Sequence, residues 1–118
     1  APRPLKLISV GGDWTKNNPK VEYPFIRNIY TYYGATAKTE NTHFPNEKHG
    51  YEYIKRQAMY PFMVKHLGLD SKGVFNNKTG EYEESGNVIE SVAQQRTFNS
   101  LEEMPEHSLK PGALIAFD

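Results

Sequence analysis

Leu5-Lys6-Leu7-Ile8-Ser9-Val10 is a short, largely apolar run closed off by Pro4 on one side and Gly11-Gly12 on the other. Its length and β-branched content mark a strand. Its apolarity marks one covered on both faces, as in a parallel sheet. A second run, Thr39–Phe44, is β-branched and aromatic and stops at Pro45. Between the two, residues 21–33 put Phe25, Ile26, Ile29, Tyr30 and Tyr33 on one face at helical spacing. Pro24 fits only in the first turn of such a helix, and Gly34 suits the left-handed position that ends it. Strand, helix and strand in this order predict two parallel neighbours joined by a right-handed crossover.

A second helix is expected to begin near Tyr51–Tyr53 and run to His66, with Ile54, Ala58, Met59, Phe62, Met63 and Leu67 facing inward. Pro61 should kink it or force a restart. Leu67-Gly68-Leu69 predicts a Schellman ending. Past Asp70 the texture becomes loop-rich, with turn clusters at Lys72-Gly73, Asn76-Asn77-Lys78-Thr79-Gly80 and Ser85-Gly86-Asn87. Val88-Ile89-Glu90 reads as a short strand. Ser91-Val92-Ala93-Gln94 is a capping box opening a helix to about Phe98, and Met104–Asp118 reads as an extended tail.

The expected architecture is α/β: a partial sheet of two parallel strands with flanking helices in residues 1–70, and a loop-rich extension, residues 71–118, packing on it. Two parallel strands do not form a stable sheet alone. The expectation is therefore a piece of a larger sheet, completed by an upstream half of the domain or by self-association.

Composition narrows the function classes. The 118 residues suffice for one small domain, and 37% hydrophobic content is lean for a self-sufficient core. A formal net charge of zero argues against a bulk nucleic-acid binder. It hides an asymmetry: residues 1–80 hold 12 basic and 6 acidic side chains, residues 81–118 hold 2 and 8. The plain reading is an acidic tail over a more basic body. The absence of cysteine excludes disulfides and thiolate metal sites. No apolar run approaches the roughly 20 residues of a membrane span, so no membrane partner is expected. The start, Ala1-Pro2-Arg3-Pro4, is not a signal peptide.

Each strand is followed by a polar residue suited to proton transfer. Asp13 follows Gly11-Gly12, and His49 follows the second strand within Pro45-Asn46-Glu47-Lys48-His49-Gly50. Ligands meet open α/β sheets at the C-terminal ends of strands. An aspartate there holds a histidine in its working tautomer and stabilises the imidazolium formed during proton transfer. Alone, Asp13 reads as a turn former and His49 as a surface loop histidine. At corresponding places of one β-α-β unit, the catalytic reading gains ground. The missing part is a nucleophile. Serines stand at positions 9, 71, 85, 91, 100 and 108, none in a G-x-S-x-G elbow. His43, Glu47 and His49 lack the spacing of a metal set, and no metal or other cofactor is expected. Trp14, beside Asp13, reads either as a substrate-binding aromatic or as a loop anchor. Asn77-Lys78-Thr79 fits a glycosylation sequon, a pattern common by chance.

Several stretches together carry a family resemblance: Leu7-Ile8-Ser9-Val10-Gly11-Gly12-Asp13-Trp14-Thr15, residues 21–35, Glu40-Asn41-Thr42-His43-Phe44-Pro45-Asn46-Glu47-Lys48-His49, Lys55-Arg56-Gln57-Ala58 and Lys65-His66-Leu67-Gly68-Leu69. This text resembles the C-terminal third of bacterial α/β-hydrolases, nearest the dienelactone-hydrolase and acetyl-xylan-esterase-like proteins. The resemblance covers about residues 4–70. It implies that Asp13 is the triad acid and His49 the triad base of a serine esterase acting on a small ester or an acetylated sugar. It is compatible with a periplasmic or secreted location. The chain departs from the family in having Lys48 before this histidine and Gly50 after it, and in carrying no nucleophile or oxyanion half. Alone it is expected to be inactive. The competing expectation is a non-catalytic binding or interaction module that uses Trp14 and the tyrosines as a contact surface.

Overall fold

The structure is a computed structural model and describes residues 3–109 and 111–113. It forms two compact units, one within residues 1–84 and the other within residues 85–118.

The first unit is built on strand β1 (Leu5–Val10) and strand β2 (Thr39–Phe44), paired in parallel with Leu5 opposite Thr39 and Val10 opposite Phe44. Helix α1 (Glu22–Tyr32) makes the crossover. Its tyrosines fix it to β2 and to the segment before β1: the Tyr23 hydroxyl donates to the Thr39 carbonyl at 3.1 Å and that of Tyr30 to the Arg3 carbonyl at 2.6 Å. Gly34 adopts φ +61° just past the helix, the left-handed conformation open to a residue without Cβ. The predicted inward stripe is only partly covered. Ile26 and Tyr30 are half-buried, while Phe25, Ile29 and Tyr33 are exposed. A two-stranded sheet is too narrow to cover the whole face of a helix lying on it.

Helix α2 (Tyr53–Leu67) packs on β1 and runs through Pro61 without a restart. Phe62 is buried and Ala58 and Met59 are half-buried, but Ile54, Met63 and Leu67 are exposed, for the same lack of sheet. The helix ends as predicted. Gly68 takes φ +64°, and the Leu69 N–H reaches back to the Val64 carbonyl at 3.1 Å.

The first unit continues past residue 70 to Glu84. Strands β3 (Phe75–Asn76) and β4 (Glu81–Tyr82) form a small antiparallel hairpin that the turn-rich sequence did not disclose. It docks on α2. The Gln57 side chain accepts from the Tyr82 N–H and donates to the Tyr82 carbonyl, both at 2.8 Å, acting as one rung of a third strand. Arg56 clasps the Glu84 carboxylate through Nε and Nη2, and Tyr60 donates to the same carboxylate at 2.8 Å. These charge-assisted contacts hold Glu84 below the usual carboxylate range, with the Arg56 hydrogen bond the largest cause.

In the second unit, helix α3 (Val92–Gln95) carries the predicted capping box: Ser91 accepts from the Gln94 N–H, and the Gln94 side chain accepts from the Ser91 N–H. The helix stops at Arg96, short of Phe98. One turn satisfies few backbone groups for the dihedrals it fixes, so it does not propagate without packing. The strand expected at Val88-Ile89-Glu90 does not form. Both apolar residues are 85% exposed, and no described segment of this unit pairs with them. Lys110 and residues 114–118 of the expected tail lie outside the described residues.

Candidate active site

The ends of β1 and β2 come together because two glycines let them. The Gly11 N–H donates to the Phe44 carbonyl at 3.0 Å, and the Gly12 N–H to the Glu47 carbonyl at 2.9 Å. A Cβ on Gly11 would sit 1.9 Å from the Pro45 carbonyl oxygen, and one on Gly12 2.8 Å from the Glu47 carbonyl oxygen. Read in sequence, Gly11-Gly12 only ends a strand. In three dimensions it admits the loop that carries His49.

Asp13 follows at once and caps a 3-10 turn, Trp14–Asn17. Its Oδ1 accepts from the Thr15 N–H and from the Thr15 hydroxyl, each at 2.6 Å. The Thr15 hydroxyl in turn accepts from the Val10 N–H at 2.9 Å, so the turn is pinned back onto the end of β1. The other oxygen, Oδ2, lies 2.9 Å from His49 Nδ1. The structure thus brings together Asp13 and His49, 36 residues apart in sequence.

The electrostatics assign the protons. The Asp13 side chain is only 8% exposed. The Thr15 hydroxyl bond nevertheless holds its carboxyl below the ordinary 3.8; burial opposes this, and the Thr15 N–H and His49 add to it. An ionised carboxylate only accepts, so Nδ1 of His49 carries the hydrogen of this bond. In neutral imidazole that leaves the Nε2 lone pair free. The His49 side chain is 67% exposed. The arrangement can take a proton at Nε2, with the resulting imidazolium facing a carboxylate.

Trp14 stacks on this histidine, its indole 4.7 Å from the imidazole with planes inclined by 37°. A shallow cavity of about 210 Å³ surrounds the pair, lined also by Ile8, Val10, Tyr51 and Lys55.

The remaining candidates point elsewhere. His43 Nδ1 lies 2.9 Å from Ser9 Oγ, which also receives Asn41 Nδ2 at 3.3 Å. Ser9 is 1% exposed, a strand residue with its hydroxyl already engaged. Ser71 supplies its backbone carbonyl to the turn before β3. Glu47 faces the Lys55 ammonium at 3.8 Å, so His43, Glu47 and His49 have three different partners. Sequence reasoning missed Thr15 and Lys55. Thr15 was detectable, since Asp-x-Thr is the pattern in which an aspartate turns back on the residue two positions on. Nothing local marks Lys55, whose acceptors gather only when the loop folds over it.

No family model matches the chain, and no curated protein matches it. Among solved structures it is similar to methylesterase BT1017, with 43% sequence identity and a TM-score of 0.59. The fold is esterase-like. The match covers 61% of this chain and 16% of that protein, so the chain spans a small part of the length of its structural relative. At this identity the likeness supports an esterase-like origin.

Proposed function

We propose that this chain supplies the acid and the base of a serine carboxylic-ester hydrolase. The observation that carries the reading is the 2.9 Å bond from His49 Nδ1 to Asp13 at the C-terminal ends of adjacent parallel strands. His49 Nε2 removes the proton of a serine hydroxyl as Oγ attacks the ester carbonyl. The imidazolium then protonates the departing alcohol, and a water repeats the sequence to release the acid. Asp13 stays ionised throughout. None of the six serines of the chain stands in a G-x-S-x-G elbow, so in this reading the serine and the oxyanion donors come from other residues, on the same polypeptide or on a partner. Trp14 and the cavity around it bind the acyl or sugar portion of the substrate.

The ester is either a methyl ester, the class named for the structural relative, or the acetyl ester suggested by the resemblance to dienelactone hydrolases and acetyl-xylan esterases. A second reading, a non-catalytic binding module, draws on the 76% exposure of Trp14.

The test is ester hydrolysis by a protein that carries this chain together with a serine elbow, assayed on methyl and acetyl esters. His49→Ala should lower kcat by about a thousandfold or more. Activity that survives this substitution sinks the hydrolase reading. Turnover by the isolated chain would show that the nucleophile lies within it.

A further inference from the structure

Lys55 is in the wrong place for an ordinary lysine. It stands in the first turn of α2, where the helix dipole disfavours a cation, and it is 1% exposed, a burial that lysine tolerates only when paired. Its partners explain the placement. The ammonium donates to the Lys48 carbonyl at 2.6 Å and to the Glu52 carboxylate, and a Glu47 carboxylate oxygen lies 3.8 Å away. All three partner groups belong to residues 47–52, which have no regular secondary structure and carry His49 at their centre. The Lys48 carbonyl belongs to the peptide immediately before His49.

Other bonds hold the backbone of this loop near its edges. Gly12 binds the Glu47 carbonyl at 2.9 Å on one side, and Arg56 Nη1 binds the Tyr51 carbonyl at 2.7 Å on the other. His49 itself has one side-chain hydrogen bond, to Asp13. Between these edges the Lys55 ammonium is a further anchor, with hydrogen bonds to the Lys48 carbonyl and the Glu52 carboxylate and an ion pair with Glu47. It also lines the same cavity as Asp13 and His49.

We propose that Lys55 is a positioning residue for His49: its buried ammonium fixes the 47–52 loop so that Nδ1 meets Asp13 and Nε2 faces the cavity. The claim rests on the proposed function only for its consequence in catalysis, since the geometry it invokes is measurable without turnover. The contribution is indirect. Lys55 makes no contact with the imidazole and reaches it through the backbone of Lys48.

The tautomer of His49 tests this, read from the side-chain ¹⁵N shifts of the full chain above neutral pH. The wild type should be predominantly Nδ1–H, and Asp13→Asn should lose that preference. Lys55→Met keeps the length of the stem and removes the donors; it should shift His49 most of the way to the Asp13→Asn value while the dispersed amide spectrum is retained. A wild-type tautomer in a folded Lys55→Met chain overturns the proposal. Should that variant fail to fold, Glu52→Ala repeats the test from an exposed position by removing one acceptor that orients the ammonium. A partial shift is then expected, and an unchanged tautomer overturns the proposal. In an active ester hydrolase carrying the chain, Lys55→Met should lower kcat about tenfold to a hundredfold with KM nearly unchanged, the signature of a displaced catalytic group. A shifted tautomer in a protein without esterase activity would leave the positioning role intact and remove only the proposed reaction.

Discussion

Thr15 donates both its backbone N–H and its hydroxyl to a single oxygen of Asp13, each at 2.6 Å, and so leaves the second oxygen for His49. One carboxylate therefore does two things. It caps the turn that follows β1, and it orients an imidazole from the far side of the crossover.

The first consequence concerns pH. The Asp13 carboxyl titrates below its ordinary 3.8 in the folded chain. Its contribution to stability is therefore fully present above that value and lost as pH falls through the lower folded value. Asp13→Asn should destabilise the chain at pH 7 and show a smaller further loss by pH 3 than the wild type. Urea midpoints at the two values check this. Glu40, Glu52 and Glu84 are held low as well, so acid sensitivity should persist in the variant and only the difference belongs to Asp13.

Thr15 should be intolerant of losing its hydroxyl. Thr15→Val leaves the Val10 N–H and one lobe of Asp13 unpaired and should cost about 1–3 kcal/mol. Thr15→Ser, which keeps both bonds, should cost less than half of that. Chemical denaturation of the two variants measures the contrast.

Gly11→Ala forces a Cβ against the Pro45 carbonyl, a backbone atom with no rotamer to escape into. A loss of about 1–3 kcal/mol is expected, together with altered amide shifts through residues 45–50. Gly73 has nothing within 4 Å of an added Cβ, and Gly73→Ala should stay within about 0.5 kcal/mol of wild type. Equal effects at the two sites would contradict the close approach.

Gln57 bonds the backbone of β4 to α2. Gln57→Ala removes both bonds to the Tyr82 backbone and should raise the local opening of residues 75–82 by about 1–2 kcal/mol, read as faster amide exchange there. The amides of β1 and β2 should keep their protection. A uniform loss across the unit would mean that the hairpin is integral to the sheet rather than docked on it.

Local rules carry much of this chain. Both long strands, the two long helices, the left-handed Gly68 and the Ser91 capping box follow from short-range pattern, because each is decided by neighbours within a few residues. The pairing of Asp13 with His49 was legible one step further out. A β-α-β unit makes the two strands parallel, and parallel strands deliver their next residues to the same edge. The strand expected at Val88 failed because extended backbone becomes a strand only when another segment completes its hydrogen bonds. The hairpin at Phe75–Tyr82 was hidden for the converse reason: two-residue strands have no periodicity to read, and β4 docks on α2 through a glutamine side chain.

The sequence by itself determined that an aspartate and a histidine follow the two strands, since residue type and strand order depend on nothing distant. Only the tertiary structure decided how that pair is held. Gly11 is needed because of Pro45, Thr15 because of a carboxylate that must face two ways, and Lys55 because a carbonyl and two carboxylates of one loop close over it. Each is a matter of distance between groups that covalent order leaves apart, and distance is set by packing.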